Sequence, residues 1–195
     1  MYSQRMKDTP ERLIETTREL LWERGYVGTS PKAILQRAGV GQGSMYHHFT
    51  GKPDLALAAI RRTGEEMRAA VDRLLDAGGP AHARVAAYLL RERDVLRGCP
   101  VGRLTMDPDV LLSEELRAPV DETIAYVRDR LAEVLQEGVD GGEFDADLVP
   151  RDLAATIVAT VQGGYVLARA SGDTSAFDAG VRGLLALLAS GGDHL

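Results

Sequence analysis

The sequence predicts an all-α protein: an N-terminal three-helix head carrying a helix-turn-helix, followed by a larger helical body. Three observations predict it. Apolar residues recur at helical spacing almost throughout the 195 residues, Gly and Pro breaks divide them into helix-sized segments, and residues 25–52 spell two short helices around a glycine turn. The composition, 45% hydrophobic and 27% charged, is that of a globular domain able to bury a core.

In the first helix Thr9 is the cap, Pro10 the first-turn residue, and Leu13, Ile14, Thr17, Leu20 and Leu21 the stripe, with Gly25 as the stop. Trp22 on this helix is expected to pack at the edge of the head. Ser30 before Pro31 caps the next helix, whose core face is Ala33, Ile34, Leu35 and Ala38 and whose end is Gly39. After Gly39-Val40-Gly41 a helix from Gly43 to Phe49 anchors through Met45 and Phe49 and turns Gln42, Ser44, Tyr46, His47 and His48 outward. Lys52-Pro53-Asp54 starts a longer helix with Leu55, Ala59, Ile60, Met67, Val71, Leu74 and Leu75. The boundary between head (1–52) and body (53–195) is placed there.

In the body, Gly78-Gly79-Pro80 precedes a helix with Val85, Tyr88, Leu89 and Val95 that is expected to run towards Gly98-Cys99-Pro100. Asp107-Pro108 and Ala118-Pro119 predict loops and one short helix between 105 and 119, and the stripe Val120, Ile124, Val127, Leu131, Val134 and Leu135 predicts a helix from Pro119 to the glycines at 138–142. Leu153 to Ala168 carries no charge. It is shorter than the ~20 apolar residues of a membrane span, so both faces are expected to be covered by protein, one by a second subunit. Gly163 and Gly164 cost that helix about 1 kcal/mol each unless a neighbour approaches closely. With Leu167 and, on the last helix, Val181, Leu184, Leu185 and Leu188, they form the predicted homodimer interface.

Residues 1–62 hold ten Lys and Arg against six Asp and Glu, a balance of +4, and the remaining 13 and 23 leave −10. A basic head on an acidic body orients a protein on a polyanion.

The motif text in the head, Gly25-Tyr26, Thr29-Ser30, Ile34, Ala38-Gly39-Val40, Gly43, Tyr46, His48-Phe49, Lys52 and Leu55, resembles the tetracycline-repressor (TetR) family. Roughly ten landmarks over thirty residues make that resemblance far more specific than a bare helix-turn-helix. Gly41 stands where Ser or Thr is common and Gln42 where a basic residue is frequent, so base preference does not transfer from relatives. Gly98-Cys99-Pro100, Gln162-Gly163-Gly164 and Leu167-Ala168-Arg169-Ala170 are similar to the lincomycin-resistance-regulator-like branch. The resemblance implies a cytoplasmic, dimeric repressor on a palindromic double-stranded DNA operator, released by a small apolar effector.

Gln42, Ser44 and His47 are the expected base readers. Thr29, Ser30, Lys32, Tyr46 and Lys52 are expected at phosphates, with Gly43 and His48 completing the DNA-binding set. In the family the positions of Tyr46 and Lys52 have that phosphate role. Tyr88, Leu104, Met106, Tyr126, Val127, Gln162 and Tyr165 are the predicted ligand-binding residues, Gln162 foremost because a polar group on an uncharged helix needs a partner.

The histidines at 47, 48, 82 and 194 and the single Cys99 have no metal-ligand spacing, and no nucleophilic set or phosphate loop is recognisable. Neither enzyme chemistry nor a cofactor is therefore expected. One cysteine makes no intrachain disulfide, and the absence of a cationic leader with an apolar core predicts the cytoplasm and no membrane. The alternatives are a redox-responsive regulator sensing through Cys99 and a helical small-molecule enzyme.

Overall fold

The computed structural model describes residues 9–190, and among them the chain is all-helical, with no strand. The helices are α1 (Thr9–Arg24), α2 (Pro31–Ala38), α3 (Gln42–His48), α4 (Lys52–Leu75), α5 (Ala81–Leu90), α6 (Pro108–Leu112), α7 (Glu114–Asp140), α8 (Pro150–Ser171) and α9 (Ser175–Ser190), with a 3-10 turn at Gly102–Met106. They form two compact units. One holds the residues up to Glu66 with Pro100–Glu122, and the other holds Met67–Cys99 with Thr123–Leu195. The head unit is thus discontinuous in sequence and larger than a cut after residue 52.

In the head unit the expected stripes meet. Leu13, Leu20, Ile34, Ala38, Met45, Phe49 and Leu55 make one buried cluster, edged by Ile14, Ala33, Leu35, Val40 and Ala58. The caps follow the sequence: the Ser30 hydroxyl accepts the Ala33 N–H at 3.2 Å, and Gly39 ends α2 at φ +60°, which a side chain would strain. Across the outside of α1, Arg18 binds Glu66 at 2.7 Å and Thr63 at 3.1 Å.

In the second unit α8 packs along α9, with the Tyr165 and Phe177 rings 5.1 Å apart. A Cβ on Gly164 would lie 2.7 Å from the Phe177 ring, so this glycine is the close approach that offsets its low helix propensity, while Gly163 faces open space. The Glu143 carboxylate caps α5, accepting the Ala81 N–H at 2.9 Å and the His82 N–H at 3.0 Å. These bonds hold its pKa below the usual carboxylate range.

Two boundaries differ from the sequence reading, each for a physical reason. Helix α5 stops at Leu90, short of Val95, because Arg91 is extended and the Arg93 guanidinium folds back on the last carbonyls, reaching Tyr88 O at 2.6 Å and Leu89 O at 2.7 Å. Helix α7 begins at Glu114, five residues before Pro119, since the Ser113 hydroxyl caps it through Leu116 and two acids occupy its first turn; Pro119 lies inside. Helix α8 is 22 residues, longer than its uncharged stretch, and by length and composition alone could span a bilayer.

Candidate nucleic-acid interface

The second helix of the helix-turn-helix, α3, is seven residues long and is held by one fully buried side chain, Met45, with Phe49 buried just after it. Those two anchors fix its rotation. Gln42, Gly43, Ser44, Tyr46, His47 and His48 are all exposed in consequence, Tyr46 at 53%. The His47 and His48 rings stand edge to face at 4.9 Å. Gly41 begins the helix without a side-chain cap, and neither Gly41 nor Gly43 has an atom within 4 Å of where a Cβ would be, so the backbone here is open to a close partner.

The positions expected at phosphates divide. Ser30 and Lys32 are exposed at the start of α2, the Ser30 oxygen also serving as the cap. Lys52 is half-buried, its ammonium 3.8 Å over the Tyr26 ring. Burial lowers its pKa, opposed by Asp109 and Asp107. The structure removes Thr29 from the exposed set: it is buried, and its hydroxyl donates to Gly25 O at 2.7 Å, closing the turn between α1 and α2.

Asp107 is the residue that sequence reasoning missed. Its carboxylate accepts the Val27 N–H at 2.9 Å and caps α6 through the Val110 N–H at 3.4 Å, joining segment 100–122 to the turn before α2. Gly25 is required beneath it, at φ +74° and with Asp107 Oδ2 2.8 Å from where a Cβ would be. Asp107-Pro108 could have been read as an N-cap and first-turn proline; nothing local points to Val27, eighty positions earlier. Asp107→Ala should destabilise the protein by about 1 to 3 kcal/mol, because it leaves a partly buried N–H unpaired. Urea unfolding measures this, and a wild-type midpoint would show the bond to be dispensable.

The predicted ligand residues are distributed over both units. Leu104 and Met106 belong to the head unit, where Leu104 is buried and Met106 is 83% exposed, its side chain turned to solvent and lining no interior. Tyr88, Tyr126, Val127, Gln162 and Tyr165 belong to the second unit. Tyr88, Val127 and Tyr165 are buried, and burial pushes the Tyr165 pKa up to about 12. The Tyr126 hydroxyl is committed to Asp72 at 2.8 Å, and Gln162 is half-buried.

Among the predicted dimer residues, Gly164, Val181 and Leu184 are buried in the single protomer. Leu185 and Leu188 are half-buried, while Gly163 and Leu167 are exposed beside Val166 at 67%. Cys99 is buried.

Known proteins carry the same arrangement. AcuR, a transcriptional regulator of Cereibacter sphaeroides, is 30% identical over 73% of this chain and 68% of its own. The repressor NemR of Escherichia coli K12 is 28% identical over 67% of this chain and 69% of its own. A TetR-family regulator from Agrobacterium tumefaciens superposes with a TM-score of 0.84 at 25% identity, over 93% of this chain and 98% of that one. Residues 13–59 match the model of the bacterial regulatory proteins of the tetR family, and residues 80–184 match the tetracyclin repressor-like C-terminal domain. With a helix-turn-helix head and the family's ligand-binding C-terminal domain in one chain, the protein belongs to the TetR family of transcriptional regulators.

Proposed function

We propose that the protein is a cytoplasmic, dimeric repressor that reads a palindromic operator through α3 and is released when a small molecule with an apolar body binds its second unit. The observation that carries this reading is the outward face of α3, on which six consecutive-turn positions from Gln42 to His48 are exposed while Met45 holds the helix to the core. Gln42, Ser44 and His47 present short polar groups suited to base edges. Tyr46, Ser30, Lys32 and Lys52 suit phosphates, and His48 and Gly43 lie on the same exposed face. Two such helices related by a twofold axis fit successive major grooves ~34 Å apart. The exposed apolar residues Val166 and Leu167 on α8 and Leu187 on α9 supply a surface for the second subunit. A partner there covers the apolar helix that by composition could also enter a bilayer.

Selection of binding sites from random DNA tests the reading and yields the operator. On that operator, Gln42→Ala or His47→Ala should relax preference at particular positions by about 1 to 3 kcal/mol, whereas Tyr46→Phe should weaken all sequences alike. Uniform losses in all three would count against base reading by α3.

Sensing through Cys99 is a second reading, favoured by similarity to NemR, whose crystal structure is described as a reduced form. Cys99→Ser separates the two: it should abolish release by oxidants in a redox regulator and leave release by a ligand intact.

A further inference from the structure

Within the second unit, the end of α5 and the residues after it face the first half of α9 across a cleft of about 540 Å³. Leu90, Phe177 and Val181 give it apolar walls, and Arg91, Arg93 and Arg182 give it cations. Leu90 is 65% exposed at the cleft.

The two central arginines differ from the ion-paired arginines elsewhere in the chain. Arg93 is anchored, with Nη1 donating to Leu89 O at 2.7 Å and Arg91 O at 2.9 Å and Nη2 donating to Tyr88 O at 2.6 Å. Capping of α5 explains those bonds. It does not explain Arg93 Nε, which is buried and has no acceptor. Nor does it explain Arg91, whose guanidinium lies 4.6 Å over the Tyr88 ring with Nη1 buried and unpartnered. Glu92 and Asp178 also line the cleft, yet among the described residues neither forms an ion pair with Arg91 or Arg93 within 4.0 Å, and Asp178 instead accepts the Thr174 hydroxyl at 3.2 Å. Burial, and then the charge of Arg91, lower the pKa of Arg93, so two like charges share one poorly solvated patch. Buried N–H donors on adjacent cations are unfavourable alone and become favourable when an anion accepts from both.

We infer that Arg91 and Arg93 are the anion-binding end of a ligand site in the second unit, and that its ligand is an organic carboxylate whose apolar skeleton lies on Leu90, Phe177 and Val181. The inference rests on the proposed ligand-released function and narrows it from an apolar effector to an amphipathic anion. Both arginines line the cleft, and a planar carboxylate offers two acceptor oxygens, one for each guanidinium. Arg93 is already fixed by three carbonyls, so little ordering remains to be done when the ligand arrives.

Calorimetry on the full-length chain tests this with short-, medium- and long-chain carboxylates and benzoate, each beside the primary amide of the same skeleton. At least one carboxylate should bind roughly tenfold or more tightly than its amide, and Arg91→Gln should erase that preference. Arg91→Lys, which keeps the charge but not the fork, should keep part of it, and it provides the comparison if the Gln variant melts below wild type. Indistinguishable pairs on the wild-type chain, including no binding by any, overturn the inference. So does a preference that survives Arg91→Gln, or an Arg91→Gln chain that loses its dimer, which would make the cleft a subunit contact.

Operator binding measured with the same compounds separates this inference from the broader reading. Any effector must weaken operator binding by the factor by which operator weakens its own binding. Neutral compounds that release operator while no carboxylate does would refute the anion site and leave ligand release standing. An Arg91-dependent carboxylate without effect on operator would do the reverse.

Discussion

Operator affinity should fall by about three to five orders of magnitude when salt is raised from about 50 to about 200 mM, as expected for a dimer that neutralises roughly six to ten phosphates. The structure narrows which cations contribute. Arg18, Arg37 and Arg62 are engaged with Glu66, Glu23 and Glu11, and Arg12 reaches the Ala38 carbonyl, so much of the head's positive charge is already used. Lys32 is exposed at the start of α2, where a helix N-terminus adds its partial positive charge. Lys32→Ala should therefore reduce the log–log salt slope by about two per dimer and leave base preference alone. Lys52→Ala should also reduce it, at some cost to the head through loss of the stacking on Tyr26. Fluorescence anisotropy across a salt series measures both, and a flat response in the wild-type chain would sink the assignment of α2 and α3 to a phosphate-gripping surface.

Leu167→Glu should convert the protein to a monomer and abolish operator binding while the head stays folded. Leu167 is 57% exposed on α8 beside Val166, so a carboxylate there costs the protomer little, yet in an apolar subunit contact it would be buried unpaired. The same charge at Gly164 would test nothing about the dimer, because even a Cβ there meets the Phe177 ring at 2.7 Å and breaks the packing of α8 on α9. Sedimentation at micromolar concentration, with a melting curve as the control for folding, decides the matter. A wild-type monomer would remove both the interface and the palindromic operator.

The parts of this molecule that were legible in sequence are those fixed by neighbours along the chain. Ser30-Pro31 and Gly39 set the ends of α2 because caps and left-handed glycines act within one turn. Met45 and Phe49 set the outward face of α3 because spacing along a helix decides which residues share a side. What depended on distant partners was not legible. Arg93 ends α5 through a side chain that folds back, and periodicity had carried the helix on to Val95. Thr29 looked like a phosphate ligand, but its hydroxyl had an acceptor four residues earlier. On α8 and α9 both faces are apolar, so spacing could not say which face meets the chain itself. Gly164, Val181 and Leu184 proved to be on the inner one. Met106 is exposed despite its apolar side chain, because hydrophobicity predicts burial only on average.

The carboxylate of Asp107, closing on the backbone of Val27, bears on how this regulator can be rebuilt. Consider a chimera in which this DNA reader is joined to another sensor at a single splice in the chain. Here a splice after residue 66 would leave Gly25 and Val27 without the group they are shaped to receive. The transplantable reader is two stretches of chain, and a graft that keeps its affinity for DNA has to bring residues 100–122 along with the first.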